Sequence, residues 1–538
     1  MKFLLTLLLV FSSSSVAFAR QHHDPNQPDP RVDVTHYVFN LTLSDASDEI
    51  NGNAEITARF RTSGVKQLRL DLASAKNEHG MTVESVRAGE SRMVFHHSDD
   101  RLAIKLSSPS QEGETKTFTI DYHGVPADGL IISTNKHGDR TFFGDNWPNR
   151  AHQWLPTVDH PADKALCDFV VTAPDHYQVI GNGEIVEETD LDGDRRLTHW
   201  RSTVDLATKV MVIGAARFAV QYVGEISGTP VESWVYPQDR DAGFYDYALA
   251  ERILAFFVEH IGPFPYAKLA NVQSKTRYGG MENASNIFYN ESSVSGNRQS
   301  EALLAHEIAH QWFGDSVTED DWHHIWLSEG FATYFTQLYL EAIYGRDRLV
   351  AGMAAARKRV LAFYQKNPNL SIVDSTITDL NALLSPNSYQ KGAWVLHMLR
   401  HQIGDEAFWK GIRGYYAQYR DGNALSRDFE SAMESASGKK LNWFFREWLS
   451  RPGQLNLKGH WRYDKRKKRL VVEIRQVGDP YRMPVELGIY GEKEEPRIEI
   501  MALDGTTNTY TFPMDAKPSH VDLDPNGWVL MQSEWNEQ

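Results

Sequence analysis

The stretch Ser300-Glu301-Ala302-Leu303-Leu304-Ala305-His306-Glu307-Ile308-Ala309-His310-Gln311-Trp312-Phe313-Gly314 reads as one short helix. Ser300 suits an N-cap and Gly314 a stop. Inside it, His306-Glu307-Ile308-Ala309-His310 has the form H-E-x-x-H. Residues i and i+4 share a helix face one turn apart. Both imidazoles can therefore meet one tetrahedral zinc ion. Glu307 stands beside them, near enough to take a proton from a water activated there. A chain with 21 histidines in 538 residues can also produce this pattern by chance, so its surroundings decide.

A catalytic zinc site needs a third protein ligand and an open position. Trp326-Leu327-Ser328-Glu329-Gly330-Phe331-Ala332 opens a second helical run that reaches about Leu340. Glu329 follows His310 by nineteen residues, and an antiparallel return helix can bring it back to the first. The acidic loop between them, 315–324, offers His323 and His324 as rivals, which would make a three-histidine site. Spacing alone leaves Glu329 open between a ligand and an exposed helix carboxylate.

Two further constellations lie nearby in sequence. In Gly279-Gly280-Met281-Glu282-Asn283 the paired glycines let backbone run extended against a ligand. A carboxylate just after them can meet a cation held there. Alone, such a pair more often marks a plain turn. In Tyr389-Gln390-Lys391-Gly392 a phenol placed near zinc can donate to a developing oxyanion. Alone, a tyrosine is more often a core or surface residue.

Taken in this order and with their flanks, these motifs resemble the aminopeptidase N family of zinc metallopeptidases. The flanks are His310-Gln311-Trp312-Phe313-Gly314-Asp315 and Trp326-Leu327-Ser328-Glu329-Gly330-Phe331. Upstream, Asn146-Trp147-Pro148, Trp154-Leu155-Pro156 and Asp159-His160-Pro161-Ala162-Asp163-Lys164 resemble that family's N-terminal domain. The likeness runs from about Val32 to the C-terminus. It implies one Zn2+ per chain, held by His306, His310 and Glu329. It implies Glu307 as general base and then proton donor, and Tyr389 at the tetrahedral intermediate. Glu282 would bind the substrate's free α-amino group, with Asp145 joining it by position. Gly279 and Gly280 would line the peptide backbone, and Met281 would border the pocket for the first side chain. The substrates would be peptides with a free N-terminus.

Outward from these motifs the patterning changes twice. Tyr37, Phe39, Leu41 and Leu43 alternate as in a strand, as do Ala54, Ile56, Ala58 and Phe60 after an Asn51-Gly52 turn signal. The strand pattern continues to about Phe218. Helical spacing follows from Phe244 to His260, and helices dominate from Ser300 to Leu449. Strands return after Pro452-Gly453, as in Leu470, Val472 and Ile474. The fold class is multidomain α+β. Residues 20–218 form an N-terminal β domain, 219–452 a catalytic domain, and 453–538 a small C-terminal β domain. The resemblance implies that the second is thermolysin-like and the third a β-sandwich. Many relatives add a large helical domain over the active site. With Gln538 as its last residue, this chain is expected to be a short form with a more open cleft.

Composition excludes several classes. Hydrophobic residues are 41% and charged residues 24%, ordinary for a globular chain, and the mean hydropathy of −0.46 excludes a multi-span membrane protein. A net charge of −15 repels phosphate backbones, so nucleic acid is not an expected partner. The single cysteine, Cys167, excludes an internal disulfide and a cysteine zinc cluster, and reads as a buried inert thiol. Lys2, the apolar run Phe3 to Phe11 and Ala17-Phe18-Ala19 read as an export signal over residues 1–19, followed by a polar leader. The protein is thus expected in a bacterial periplasm or outside the cell, with no stable membrane anchor once the signal is removed. Asp190-Leu191-Asp192-Gly193-Asp194 lacks the glycine and glutamate positions of a calcium loop and reads as a hairpin turn. The basic run Lys465 to Arg469 reads as a solvated turn.

Other functions leave distinct marks. An epoxide-hydrolysing relative or an endopeptidase would lose Glu282 or the glycine pair. A zinc-bearing scaffold that no longer turns over would lose Glu307 or Tyr389. All four features are present.

Overall fold

The computed structural model describes residues 27–491 and 495–538. The expected export signal and most of the leader lie outside the described residues. Of these residues, no helix is long and apolar enough to cross a membrane.

The N-terminal region is built on an eight-stranded sheet. Its centre pairs Val32–Thr42 antiparallel with Ile50–Phe60 and parallel with Leu166–Pro174. Ile50–Phe60 alternates strictly between buried and outward residues, as a half-buried strand must. A three-stranded sheet, Gln67–Asp71, Arg101–Lys105 and Val94–Ser98, and a four-stranded one complete this region. Asn51 and Gly52, read above as a turn, lie inside the strand Ile50–Phe60. Gly52 is there because a Cβ would fall 2.2 Å from the Tyr122 ring. The hairpin at Asp192-Gly193 does join two antiparallel strands. Cys167 is buried in Leu166–Pro174, and burial pushes its thiol well above the usual range.

Hydrogen-bonded ladders change partner between Ala216 and Ala219. Ala219–Ile226 starts a five-stranded mixed sheet that continues through Thr229–Val235, Leu269–Ser274 and Asn286–Asn290 to the edge strand Gly280–Met281. That edge strand runs antiparallel to Asn286–Asn290, pairing Gly280 with Tyr289 and Met281 with Phe288. The helical run expected from Phe244 to His260 is two helices, Arg240–Tyr247 and Leu249–His260. The motif helix spans Glu301–His310 and packs on Trp326–Tyr344, four residues longer than its pattern indicated. It ends before Gly314, because residues 311–313 turn to hydrogen-bond back onto its last carbonyls. Ser300 precedes it, but the Ser300 hydroxyl donates to the Ser293 carbonyl rather than capping.

After Gly453 a four-stranded and a three-stranded sheet follow. The basic run 465–468 is the turn between Leu455–Asp464 and Arg469–Gln476. One apolar core runs through all three regions, from Tyr37 and Phe39 through Trp312 and Phe331 to Leu487. A second cluster, including Phe143, Trp147, Met281, Phe288 and Trp322, seals the N-terminal region against the central one beside the motif helix. Buried cations reinforce that seam. Lys209 Nζ pairs with Glu319 at 2.5 Å, and Lys164 Nζ donates to the Asp315 and Ser316 carbonyls.

Candidate active site

The first turn of Trp326–Tyr344 returns antiparallel along Glu301–His310 and brings Glu329 to the histidines. His306 Nε2 and His310 Nε2 are 3.2 Å apart, and lie 3.5 and 3.4 Å from Glu329 Oε2. A tetrahedral ion bound at about 2.0–2.1 Å needs ligand atoms roughly 3.3 Å apart. The three atoms meet that requirement. Glu329 Oε2 is buried with no hydrogen bond from any described residue. A buried acceptor left this way costs on the order of 1–3 kcal/mol, a cost a cation would remove. His310 Nδ1 lies 3.2 Å from the Phe313 carbonyl and 3.0 Å from Ser328 Oγ. A proton on Nδ1, donated to that carbonyl, leaves Nε2 free as a ligand. His306, His310 and Glu329 therefore fit zinc. His323 and His324 do not join them: His323 Nδ1 meets Asp321 at 2.7 Å and His324 Nδ1 meets Ser426 at 2.7 Å.

Three carboxylates share this small space. Ligand atoms of Glu282, Glu307 and His310 lie within 4.8 Å of one another. Among the protein's own charges, burial pushes the Glu307 carboxyl well up, and Glu282 and Glu329 add to it. Burial opposes charge on His310, but the surrounding carboxylates raise it to about 10. Burial likewise works against Glu329, yet His310 and His306 hold it below the usual carboxylate range. Such a cluster of buried carboxylates is stable only where positive charge balances it.

A cavity of about 50 Å3 opens over the cluster. Gly280, Met281, Glu282, His306, Glu307, His310, Glu329 and Tyr389 all line it, as the sequence indicated. Gly280 has a steric cause: a Cβ there would strike the Glu307 side chain. Gly279 is exposed on the same segment and does not line the cavity. Asp145 is not brought to the cavity either. It is fully buried, pairs with Arg150 Nη2 at 2.5 Å, and accepts from Thr276 Oγ1 and the Arg277 N–H. Those bonds spend its carboxylate on holding the backbone before Tyr278.

Tyr389 sits in the π-helical turn Asn387–Lys391. Its ring lies parallel to that of His306, centroids 5.9 Å apart. Burial and the nearby Glu329 and Glu282 push its phenol well up, so it stays a proton donor. The turn is fixed from behind. Asn387 accepts from the Tyr364 hydroxyl at 2.6 Å, and Lys391 Nζ donates to the same hydroxyl at 2.8 Å. Gly392 lets the turn approach, since a Cβ on Gly392 would fall 2.9 Å from Gly330 Cα.

Trp147, Tyr278 and Leu384 complete the wall and were not read as site residues. Trp147 and Tyr278 adjoin quoted motifs, in Asn146-Trp147-Pro148 and just before Gly279, so adjacency was their signal. Leu384 had none: an isolated leucine carries no chemistry to find.

The family model described as the peptidase M1 N-terminal domain matches residues 33–210, and that of the peptidase family M1 domain matches residues 245–448. Together they take in well over half the sequence. The chain belongs to peptidase family M1. A probable aminopeptidase 2 of Sulfurisphaera tokodaii is 25% identical over 499 residues, covering 85% of this chain and 62% of the relative. Human glutamyl aminopeptidase is 28% identical over 360 residues, covering 64% and 37%. The M1 chain thus spans less than two thirds of the length of these relatives. An M1 zinc metallopeptidase from Deinococcus radiodurans superposes with a TM-score of 0.67 at 23% identity, covering 78% of this chain and 94% of that one. This likeness shows that the two share a fold.

Proposed function

We propose that this M1 protein is a zinc aminopeptidase that removes the first residue from peptides with a free N-terminus, with one zinc ion held by His306, His310 and Glu329. The observation that carries this reading is the shared cavity. An ammonium-binding carboxylate, Glu282, stands within a few ångströms of a base, Glu307, and of a complete ligand set.

When bound, zinc supplies a Lewis acid that polarises the scissile carbonyl and acidifies the attacking water. Glu307 takes a proton from that water and returns it to the leaving amine. Its place in the cavity beside His310 suits a group that must hold the proton between the two steps. The Tyr389 phenol, kept protonated, donates to the oxygen on which charge develops. Glu282 pairs with the α-ammonium and so fixes register: only the first peptide bond reaches Glu307. An acylated amine would leave Glu282 buried without its cation, which disfavours blocked peptides and internal bonds.

Export to a periplasm or the medium remains part of this proposal, supported by residues 1–19. The catalytic assignment is tested by Glu307→Gln in the full chain. Zinc content measured by mass spectrometry should stay at one per chain while turnover falls by about 10³-fold or more. Near wild-type turnover would place the base elsewhere.

A further inference from the structure

Glu282 lies on a segment that regular structure holds poorly. The strand before it pairs only Gly280 and Met281, and residues 282–285 lie outside any strand. Ser285 has φ +65°, a left-handed conformation that a serine does not adopt unaided. Two buried amide side chains, absent from the chemistry above, supply what the ladder does not.

From the motif helix, Gln311 reaches back across the segment. Its Oε1 accepts from the Ser285 N–H at 2.8 Å and its Nε2 donates to the Glu282 carbonyl at 2.7 Å. The same Nε2 donates to Asp315 Oδ2 at 2.9 Å, which orients the amide. From the N-terminal domain, Asn182 Nδ2 donates to the Ala284 carbonyl at 2.7 Å, and the Gly183 N–H donates to Ser285 Oγ at 2.9 Å. Asn182 is itself fixed by the Val210 carbonyl and the Val212 N–H. Gln311 and Asn182 are both buried, and neither lines the cavity.

We infer that Gln311 and Asn182 are positioning residues for Glu282, setting the distance between the amine anchor and the metal ligands from two sides. Gln311 follows the ligand His310 directly, so it ties the anchor to the metal through one residue of backbone. Asn182 ties the same anchor to the N-terminal domain, which makes that domain part of the register. The inference rests on the reading of Glu282 as the site for a substrate ammonium. A displacement of about 1 Å in such an anchor misplaces the scissile bond enough to cost on the order of 10²-fold in rate.

The test compares leucine hydroxamate with its N-acetylated twin, by calorimetry on the zinc-loaded full chain. Both reach zinc, but only the first offers an ammonium to Glu282. The wild type should bind the free-amine compound more tightly. Gln311→Met and Asn182→Ala should each keep one zinc and each weaken the free-amine compound by about tenfold or more, with the acetylated twin changed less than about twofold. Amide exchange of the 282–285 segment in the chelated protein should also quicken. A wild-type affinity ratio in either folded variant overturns the inference, as does equal weakening of both compounds. The two substitutions lie in different domains, so either decides if the other does not fold. A wild type indifferent to acetylation would instead overturn the reading of Glu282, and this inference with it.

Discussion

Gly280 and Glu307 are packed so closely that any side chain at position 280 must displace the Glu307 carboxylate: a Cβ there would lie 2.5 Å from Glu307 Oε1 and 2.6 Å from its Cδ and Cγ. The edge strand and Glu307 thus share one steric constraint. Gly280→Ala should displace the carboxylate while leaving His306, His310 and Glu329 in place. The expected outcome is unchanged zinc content with kcat reduced on the order of 10²-fold. Wild-type kcat in this variant would mean that Glu307 is free to move without loss.

Tyr389→Phe removes the phenol and keeps the ring beside His306. If the hydroxyl acts on the developing oxyanion, kcat falls by about 10²–10³-fold and KM changes little. Steady-state kinetics on one unblocked peptide separates the two. The reverse pattern, a raised KM at constant kcat, would make Tyr389 a substrate-binding residue.

The cavity wall beside the cluster is Trp147, Tyr278, Met281 and Leu384, and among the described residues no cationic side chain lines the cavity except through the imidazoles. An acidic first side chain would add a fourth carboxylate beside Glu282, Glu307 and Glu329. Peptides beginning with Leu or Phe should therefore exceed those beginning with Glu in kcat/KM by at least about tenfold, a difference worth about 1.4 kcal/mol. This holds although a relative carries the name glutamyl aminopeptidase. A Glu-first preference would contradict the assignment of this wall to the first side chain.

Asp168 gives a pH signature far from the chemistry. Burial pushes its carboxyl up, but hydrogen bonds from His36, His199 and Arg201 outweigh that and hold it at about 2. A depressed folded value stabilises the protein above the ordinary Asp value of about 3.9, and that stability is lost as pH falls toward 2. Asp168→Asn should therefore unfold at lower urea than wild type at pH 7, and the gap should close between about pH 4 and pH 2. A gap independent of pH would assign the effect to packing.

Legibility followed chemistry. The ligand pair was readable because i and i+4 geometry follows from helix pitch alone, whereas Glu329 depended on how a second helix returns. Gly280 was marked as a close-approach glycine, but the group approaching it, Glu307, is visible only in three dimensions. Asn51-Gly52 misled because a glycine that makes room for Tyr122 looks the same in sequence as one that makes a turn. Asp145 misled for a related reason: a carboxylate near the right place was already satisfied by Arg150, a partner five residues on. Leu384 was invisible, since its part in the wall comes from topology rather than from its own chemistry.

In the proposed reaction the amine of the substrate, anchored at Glu282, decides which bond is cut at a zinc site. The most direct test is the full chain assayed on one peptide and its N-acetylated twin, with and without a chelator. Stepwise cleavage of the free peptide alone is expected, abolished by the chelator and restored by zinc. Cleavage of both peptides at the same internal bond would contradict it.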